Sequence, residues 1–226
     1  MSDVAVIGGT GNQGYGLALR WAMAGKTITI GSRDAGRAAE AAERLRDAVA
    51  ATGRQVPAVA GLGNEAAAAA ASVVVIAVPL LAQIATIKSV REHLRPECLL
   101  IDVTVPLATA VGGRASRMLG LPAGSAAEQL AEYAPKGAQV LSAFHALSAD
   151  LLADPAANVD CDVVGCGGDE RAQGVLRELA EAIEGVHFVH AGPLVASRLV
   201  EASAVMLIAL NVRHKIRHSG MRITGL

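Results

Sequence analysis

A doubly wound α/β fold, a parallel sheet with helices on both faces, is predicted by three features of the chain. Short apolar runs alternate with helical patterns from the first residues onward. A glycine cluster sits between the first run and the first helix. Runs such as SVVVIAV (72–78) are apolar without interruption, as strands buried on both faces must be.

The elements follow in order. Strands are expected near 3–8, 26–31, 57–60, 72–78, 98–103 and 138–144, with helices over 12–24, 35–51, 64–71, 80–94 and 125–134. Ser125 followed by Glu128 marks the start of the last of these as a capping box. A Gly- and Pro-rich loop precedes it. Beyond about residue 150 the pattern loosens into a strand over 160–165, a helix over 169–184, a strand over 186–190 and a long helical stretch from 193 to 218. The expected organisation is therefore a nucleotide-binding domain over 1–150 and a small C-terminal α/β appendage over 151–226 that ends in helices. The apolar run AVMLIAL (204–210) reads as a helix packed on the first domain or on a second subunit, which makes a homodimer the expected assembly.

Composition narrows the partners. The 226 residues are 52% hydrophobic but only 2% aromatic, so any flat ligand must rest on aliphatic side chains and backbone. A formal net charge of -1 offers no general attraction for nucleic acid or for an anionic membrane surface, which leaves small molecules. Cys98, Cys161 and Cys166 are too few and too irregularly spaced for a disulfide framework or a zinc site, so thiols in a reducing, cytoplasmic setting are expected and no metal. Residues 66–85 are long enough to span a membrane, yet Ala fills their first third and Ser72, Pro79 and Gln83 interrupt the rest. An Ala-rich helix leading into a buried strand accounts for them.

Gly9-Thr10-Gly11-Asn12-Gln13-Gly14 matches G-x-G-x-x-G between a strand and a helix, the dinucleotide fingerprint of a Rossmann-type fold. Gly11 lets the backbone approach a pyrophosphate, and the first N–H groups of the helix face the anion. The same letters read as Gly8-x-x-Gly11-x-x-Gly14, a spacing of extended short-chain dehydrogenases, but their Tyr-x-x-x-Lys pair is missing: Tyr133 and Lys136 stand one residue too close. At the end of the second strand, where an NAD enzyme places an acid, stand Ser32 and Arg33, with Arg37 one helical turn on. A hydroxyl and guanidinium groups suit a ribose phosphate, so NADP is favoured, while Asp34 keeps NAD open.

GGTGNQGYGLALRWAMAGKTITIGSRD, IDVTVPL, GSAAEQLAE, SAFHALSADLL, VDCDVVG, AGPLVASRLVE and NVRHKIRHSGMRIT together resemble the NADPH-dependent reductases of the 8-hydroxy-5-deazaflavin coenzyme F420. The resemblance spans the chain and implies reversible hydride transfer between the reduced deazaflavin and NADP, without a metal. It places the pyrophosphate on Thr10 to Gln13 and the ribose phosphate on Ser32, Arg33 and Arg37. Val78, Pro79 and Val105 would border the rings, and His145, Leu147 and Ala149 would lie along the deazaflavin. Arg198 would stand near the nicotinamide amide. Relatives carry small hydroxyl residues soon after that arginine, where this chain has Ala202 and Ala204 around Ser203.

Such chemistry needs the reacting carbons held roughly 3 to 3.5 Å apart and little else, so no acid/base residue is expected; His145 and Leu147 act by positioning. A hydrogen-bonded structural histidine is the alternative for His145. The acidic tail of the deazaflavin calls for a basic channel, and two clusters qualify: Arg114 with Arg117, or Arg213, Lys215, Arg217 and Arg222. Two other functions remain open: reduction of a small imine or carbonyl compound, and NADP sensing without turnover.

Overall fold

The computed structural model describes residues 3–225. Its first half alternates strand and helix: β1 (Val4–Ile7), α1 (Asn12–Met23), β2 (Ile28–Ser32), α2 (Ala35–Ala51), β3 (Val59–Gly63), α3 (Asn64–Ala70), β4 (Val73–Ile76) and α4 (Leu80–Val90). Then come β5 (Leu99–Asp102), α5 (Ala126–Tyr133), β6 (Gln139–Ser142), α6 (Ala149–Ala153), β7 (Cys161–Gly167), α7 (Glu170–Glu181), β8 (Val186–His190) and α8 (Ser197–His214). All eight strands form one sheet in the order β3-β2-β1-β4-β5-β6-β7-β8. The first six run parallel, and the order reverses between β1 and β4, the place where such sheets bind ligands beyond the carboxyl ends of their strands.

The C-terminal part is joined to this sheet. β7 lies antiparallel to β6, with Leu141 opposite Gly167 and Ser142 opposite Cys166, and β8 pairs parallel to β7. Residue 150, the expected boundary, falls within α6. Side chains lock the two parts together: the indole N–H of Trp21 donates to the Leu179 carbonyl at 2.8 Å, and Lys26 pairs with Glu178.

The core is aliphatic, as the composition demands. Val4, Val6, Leu17, Leu19, Ile28, Ile30 and Leu45 are inaccessible on one face of the sheet, and Ile7, Val74, Ile76, Ile87 and Leu100 on the other. The buried aromatic exceptions are Trp21, Phe144 and Phe188, of which the first two meet edge to face with ring centroids 5.4 Å apart.

Most elements stand where the sequence puts them. Ser125 caps α5 as expected, its Oγ accepting from the Glu128 N–H at 3.0 Å. The final helix is shorter than expected: it begins at Ser197 after a turn of 3₁₀ helix over Leu194–Ala196 and stops where Lys215 turns left-handed at φ 55°. The pattern overlooked α6, five residues long, and the 3₁₀ turn Ala108–Val111, both too short to carry a hydrophobic period. Leu194–His214 is long and apolar enough to cross a membrane, with a mean hydropathy of 1.6 and 28% of it buried. Its Glu201 is nonetheless fully buried against α5.

Candidate active site

The glycine loop folds as its spacing requires. Gly8 sits at φ +85°, and a Cβ there would lie 2.4 Å from the Ala77 carbonyl oxygen. Gly14 has no room either, since its Cβ would be 2.7 Å from the Gly8 carbonyl oxygen, so α1 packs directly on the loop. Gly9 is equally confined, by the Val6 carbonyl at 2.8 Å and by Ile30. Gly9 and Gly14 thus serve packing. Gly11 is different: its missing Cβ would meet nothing closer than 3.4 Å, so the backbone there stands open to a ligand. No side chain caps α1, which leaves its first N–H groups free for an anion.

Two cavities open from this loop. One, of about 420 Å³, is lined by Thr10, Gly11, Ser32, Arg33, Arg37, Asn64, Val78 and Pro79, among others. It gathers every residue expected at the ribose phosphate. Asp34 also lies there, but its carboxylate accepts from the N–H groups of Gly36 (2.8 Å) and Arg37 (3.1 Å) and caps α2. The acid that kept NAD open is therefore committed to a helix N-terminus. Asn64 was missed by the sequence reading: at the start of a short Ala-rich helix it carries no motif, and its buried Oδ1 has no hydrogen-bond partner.

The second cavity, of about 500 Å³, shares Gly11, Ala77, Val78 and Pro79 with the first, so the two adjoin past the ends of β1 and β4. Val105, His145, Leu147 and Ala149 line it, and so do Asn12 and Gln13, which the resemblance assigns to the pyrophosphate and which do not line the smaller cavity. Leu107, Ala204, Leu207, Ile208, Asn211, Arg217 and Ser219 complete it, so the C-terminal helix and the tail behind it form one wall. The sequence reading expected Arg198 and the basic residues of α8 and the tail near the cofactors; it did not foresee the apolar Leu207 and Ile208, which carry no site-like chemistry.

His145 is nine-tenths buried, and neither ring nitrogen has a hydrogen-bond partner. That is unusual for a structural histidine, whose polar atoms are normally satisfied. Burial pulls its pKa down to about 4, and the nearby Thr104 backbone acts in the opposite sense without making a hydrogen bond of good geometry, so the ring is neutral near pH 7. The Leu147 side chain is buried beside it.

Behind the wall lies a buried polar network. Asp102, at the end of β5, accepts from the Thr104 hydroxyl at 2.7 Å and from Gln83 Nε2 at 3.0 Å. The same hydroxyl lies 3.4 Å from the Val78 carbonyl, so Asp102 and Thr104 sit between two segments that line the cavity. Glu201 of α8 accepts from the N–H groups of Ala126 and Ala127, both at 3.0 Å, and so caps α5 from another element. Burial raises Asp102 to about 7 and Glu201 to about 8.

Arg198 is placed elsewhere. It lines neither cavity; its guanidinium makes a double hydrogen bond at 2.8 Å to Glu128 and covers Gly124. Of the basic residues weighed for an acidic tail, Arg217 lines the larger of these two cavities, whereas Arg114 and Arg117 line a third, of about 710 Å³, in the loop before α5. Arg222 is spent on Asp160 and Asp162. Among the described residues no cluster of His, Cys, Asp and Glu has the arrangement of a metal site.

Comparison with known proteins agrees with this geometry. Residues 3–106 match the family described as NADP oxidoreductase coenzyme F420-dependent. The chain is 44% identical to the F420-dependent NADP reductase of Methanothermobacter thermautotrophicus over 224 residues, covering 99% of this chain and 95% of that protein. It is 40% identical to the protein of the same name from Methanocaldococcus jannaschii, over 99% and 98% of the two. Among solved structures, a candidate F420-dependent NADP-reductase from Arthrobacter sp. FB24 superposes with a TM-score of 0.81 at 23% identity, over the whole of both chains. A reductive aminase from Aspergillus terreus in complex with NADPH shares the fold more distantly, with a TM-score of 0.61 at 16% identity over 95% of this chain and 63% of that one. By its similarity along nearly its full length, the chain belongs to the family of F420-dependent NADP reductases.

Proposed function

We propose that this protein is an oxidoreductase of two cofactors, coenzyme F420 and NADP(H), and that the adjoining cavities hold one in each half. Relatives over 40% identical that are named for this reaction support the reading, as does the match to the F420-dependent family. The observation that carries it is that the two cavities adjoin at Gly11, Ala77, Val78 and Pro79: a phosphate-suited end lined by Arg33 and Arg37 lies beside a largely apolar slot.

When bound, the pair supplies reversible hydride transfer between the nicotinamide C4 and the deazaflavin C5, with one proton exchanged at a deazaflavin ring nitrogen to balance the charge. The chain supplies position. Ser32, Arg33 and Arg37 hold the ribose phosphate, and Thr10, Gly11, Asn12 and Gln13 the pyrophosphate at the start of α1. Val78, Pro79 and Val105 confine the rings, Leu147 presses on a ring face, and Ala149 leaves room for it. His145 offers a neutral ring whose unpaired nitrogens hydrogen-bond a polar ring edge. With both rings seated, the aliphatic residues of the slot would keep water from the reacting carbons, which protects a hydride in transit. No side chain here is asked to act as a general acid or base.

Arg217, at the slot, is the better of the two candidates for an acidic tail, and Arg198 keeps only a structural tie to Glu128. We assign residues 1–150 to NADP and 151–226 to completing the deazaflavin half. We also keep the homodimer, because Leu199, Met206 and Leu210 on α8 are exposed and apolar, and a cytoplasmic location. Mixing the purified protein with NADPH and oxidised F420 tests the reading: the visible absorbance of the deazaflavin falls if hydride moves. Persistent colour with both cofactors bound refutes it.

A further inference from the structure

Arg20 lies in the last turn of α1, 6% exposed, with no carboxylate as hydrogen-bond partner. Its guanidinium is satisfied by backbone alone: Nε donates to the Leu152 carbonyl at 3.0 Å, and Nη2 reaches the carbonyls of Leu151, Asp154 (2.6 Å) and Ala157 (2.8 Å). A buried charge is costly unless well paired, and four carbonyls from one short segment are an unusual way to pair it. That segment is α6 and the turn after it, and it continues directly from His145–Ala149, the wall of the larger cavity.

Two other residues on the same face of α1 grip the same segment. Gln13 Nε2 donates to the Phe144 carbonyl at 3.2 Å, and at Gly16 a Cβ would stand 2.6 Å from the Leu152 Cβ, so helix and segment are in direct contact. Positions 13, 16 and 20 are three and seven residues apart, which aligns them along one side of a helix. Phe144 itself is held at φ 69°, a left-handed backbone that a bulky residue adopts only when its surroundings impose it. The helix whose first turn faces the dinucleotide phosphates therefore also fixes the wall of the other half.

We propose that Arg20 is a positioning residue for hydride transfer, setting the distance of the His145–Ala149 wall from the nucleotide half by clamping the 151–157 backbone to α1. The inference rests on the two-cofactor reading above. It needs no contact between Arg20 and either cofactor.

Arg20→Ala, Arg20→Lys and Gly16→Ala test it, each compared with the wild type for NADPH and F420 dissociation constants, single-turnover hydride transfer and melting temperature. Displacing a reacting partner by about an ångström costs on the order of a hundredfold in rate. Arg20→Ala is expected to weaken F420 binding and slow single-turnover transfer by roughly ten- to a hundredfold, with NADPH affinity changed by less than about threefold. Millimolar guanidinium should restore part of the transfer rate by refilling the site. Gly16→Ala, which places a methyl group 2.6 Å from the Leu152 Cβ and 3.2 Å from the Ala153 backbone nitrogen, pushes the segment away from α1 and should show the same split between the two cofactors, together with a lower melting temperature. If Arg20→Ala does not fold, Arg20→Lys and Gly16→Ala carry the test alone. Variants that melt earlier but keep both affinities and the transfer rate would overturn the proposal, as would equal loss for the two cofactors. A wild type that binds both cofactors without transfer would overturn the functional reading first, and this one with it.

Discussion

Replacing Arg33 by Val should separate NADPH from NADH. Arg33 is exposed, lines the smaller cavity beside Ser32 and Arg37, and forms no ion pair among the described residues. Its neighbour Asp34 is occupied with the N-terminus of α2, so the guanidinium is available to a phosphate. A hydrogen bond to a charged group is worth about 1.5 to 3 kcal/mol net, and exposure to solvent holds the value near the lower bound. At about 1.4 kcal/mol per factor of ten, the NADPH dissociation constant should rise about tenfold. NADH lacks the phosphate and should change by less than about twofold. Isothermal titration calorimetry with each nucleotide measures both, and the gap should narrow with added salt as the charges are screened. Equal losses for the two nucleotides would refute the assignment of Arg33 to the ribose phosphate.

Gly14→Ala places a methyl group 2.7 Å from the Gly8 carbonyl and 3.1 Å from the Ala77 Cβ, so it should cost about 1 to 3 kcal/mol of stability and weaken NADPH binding together; calorimetric melts and titrations check this. Glu201→Gln exchanges a carboxylate oxygen for a donor facing a helix N–H, and loss of such a cap should cost about 1 kcal/mol, or roughly 2 to 4 °C in a chain of this size. Burial raises Asp102 from 3.8 to about 7, so the folded protein holds this proton more tightly than the unfolded chain. That stabilisation is complete below about pH 4 and lost as pH rises towards 7, so melting temperatures of the wild type should fall from about pH 5 to about pH 8 more than those of Asp102→Asn. His145 has the opposite sign: its pKa is depressed from 6.5 to about 4, so stability present above 6.5 is lost as pH falls towards 4. F420 affinity should show no step near pH 6.5, and a step there would contradict the buried neutral ring.

The parallel sheet was legible because doubly buried strands are unbroken apolar runs, and the glycine loop because Gly8, Gly9 and Gly14 are each forced by backbone contacts. The residues proposed for the ribose phosphate could be picked out for a similar reason: Ser32 ends β2, and Arg33 and Arg37 follow it at fixed offsets. The second cavity was only partly so. Its residues come from segments far apart in the chain, and the ones supplied by α8, Ala204, Leu207 and Ile208, are indistinguishable from core in a sequence. Arg20 was invisible because an arginine within a helix ordinarily faces solvent, and only tertiary contacts reveal four carbonyls around it. Arg198 was misleading for the same cause: its partner Glu128 lies seventy residues away.

The central claim is that this chain brings a nicotinamide and a deazaflavin into contact within one water-excluding slot. Incubation with oxidised F420 and NADPH deuterated at the transferred position, followed by mass spectrometry of the reduced deazaflavin, tests it most directly. The account predicts one deuterium per reduced deazaflavin, with none lost to solvent. Reduced deazaflavin carrying only solvent hydrogen, or no reduction with both cofactors bound, would contradict it.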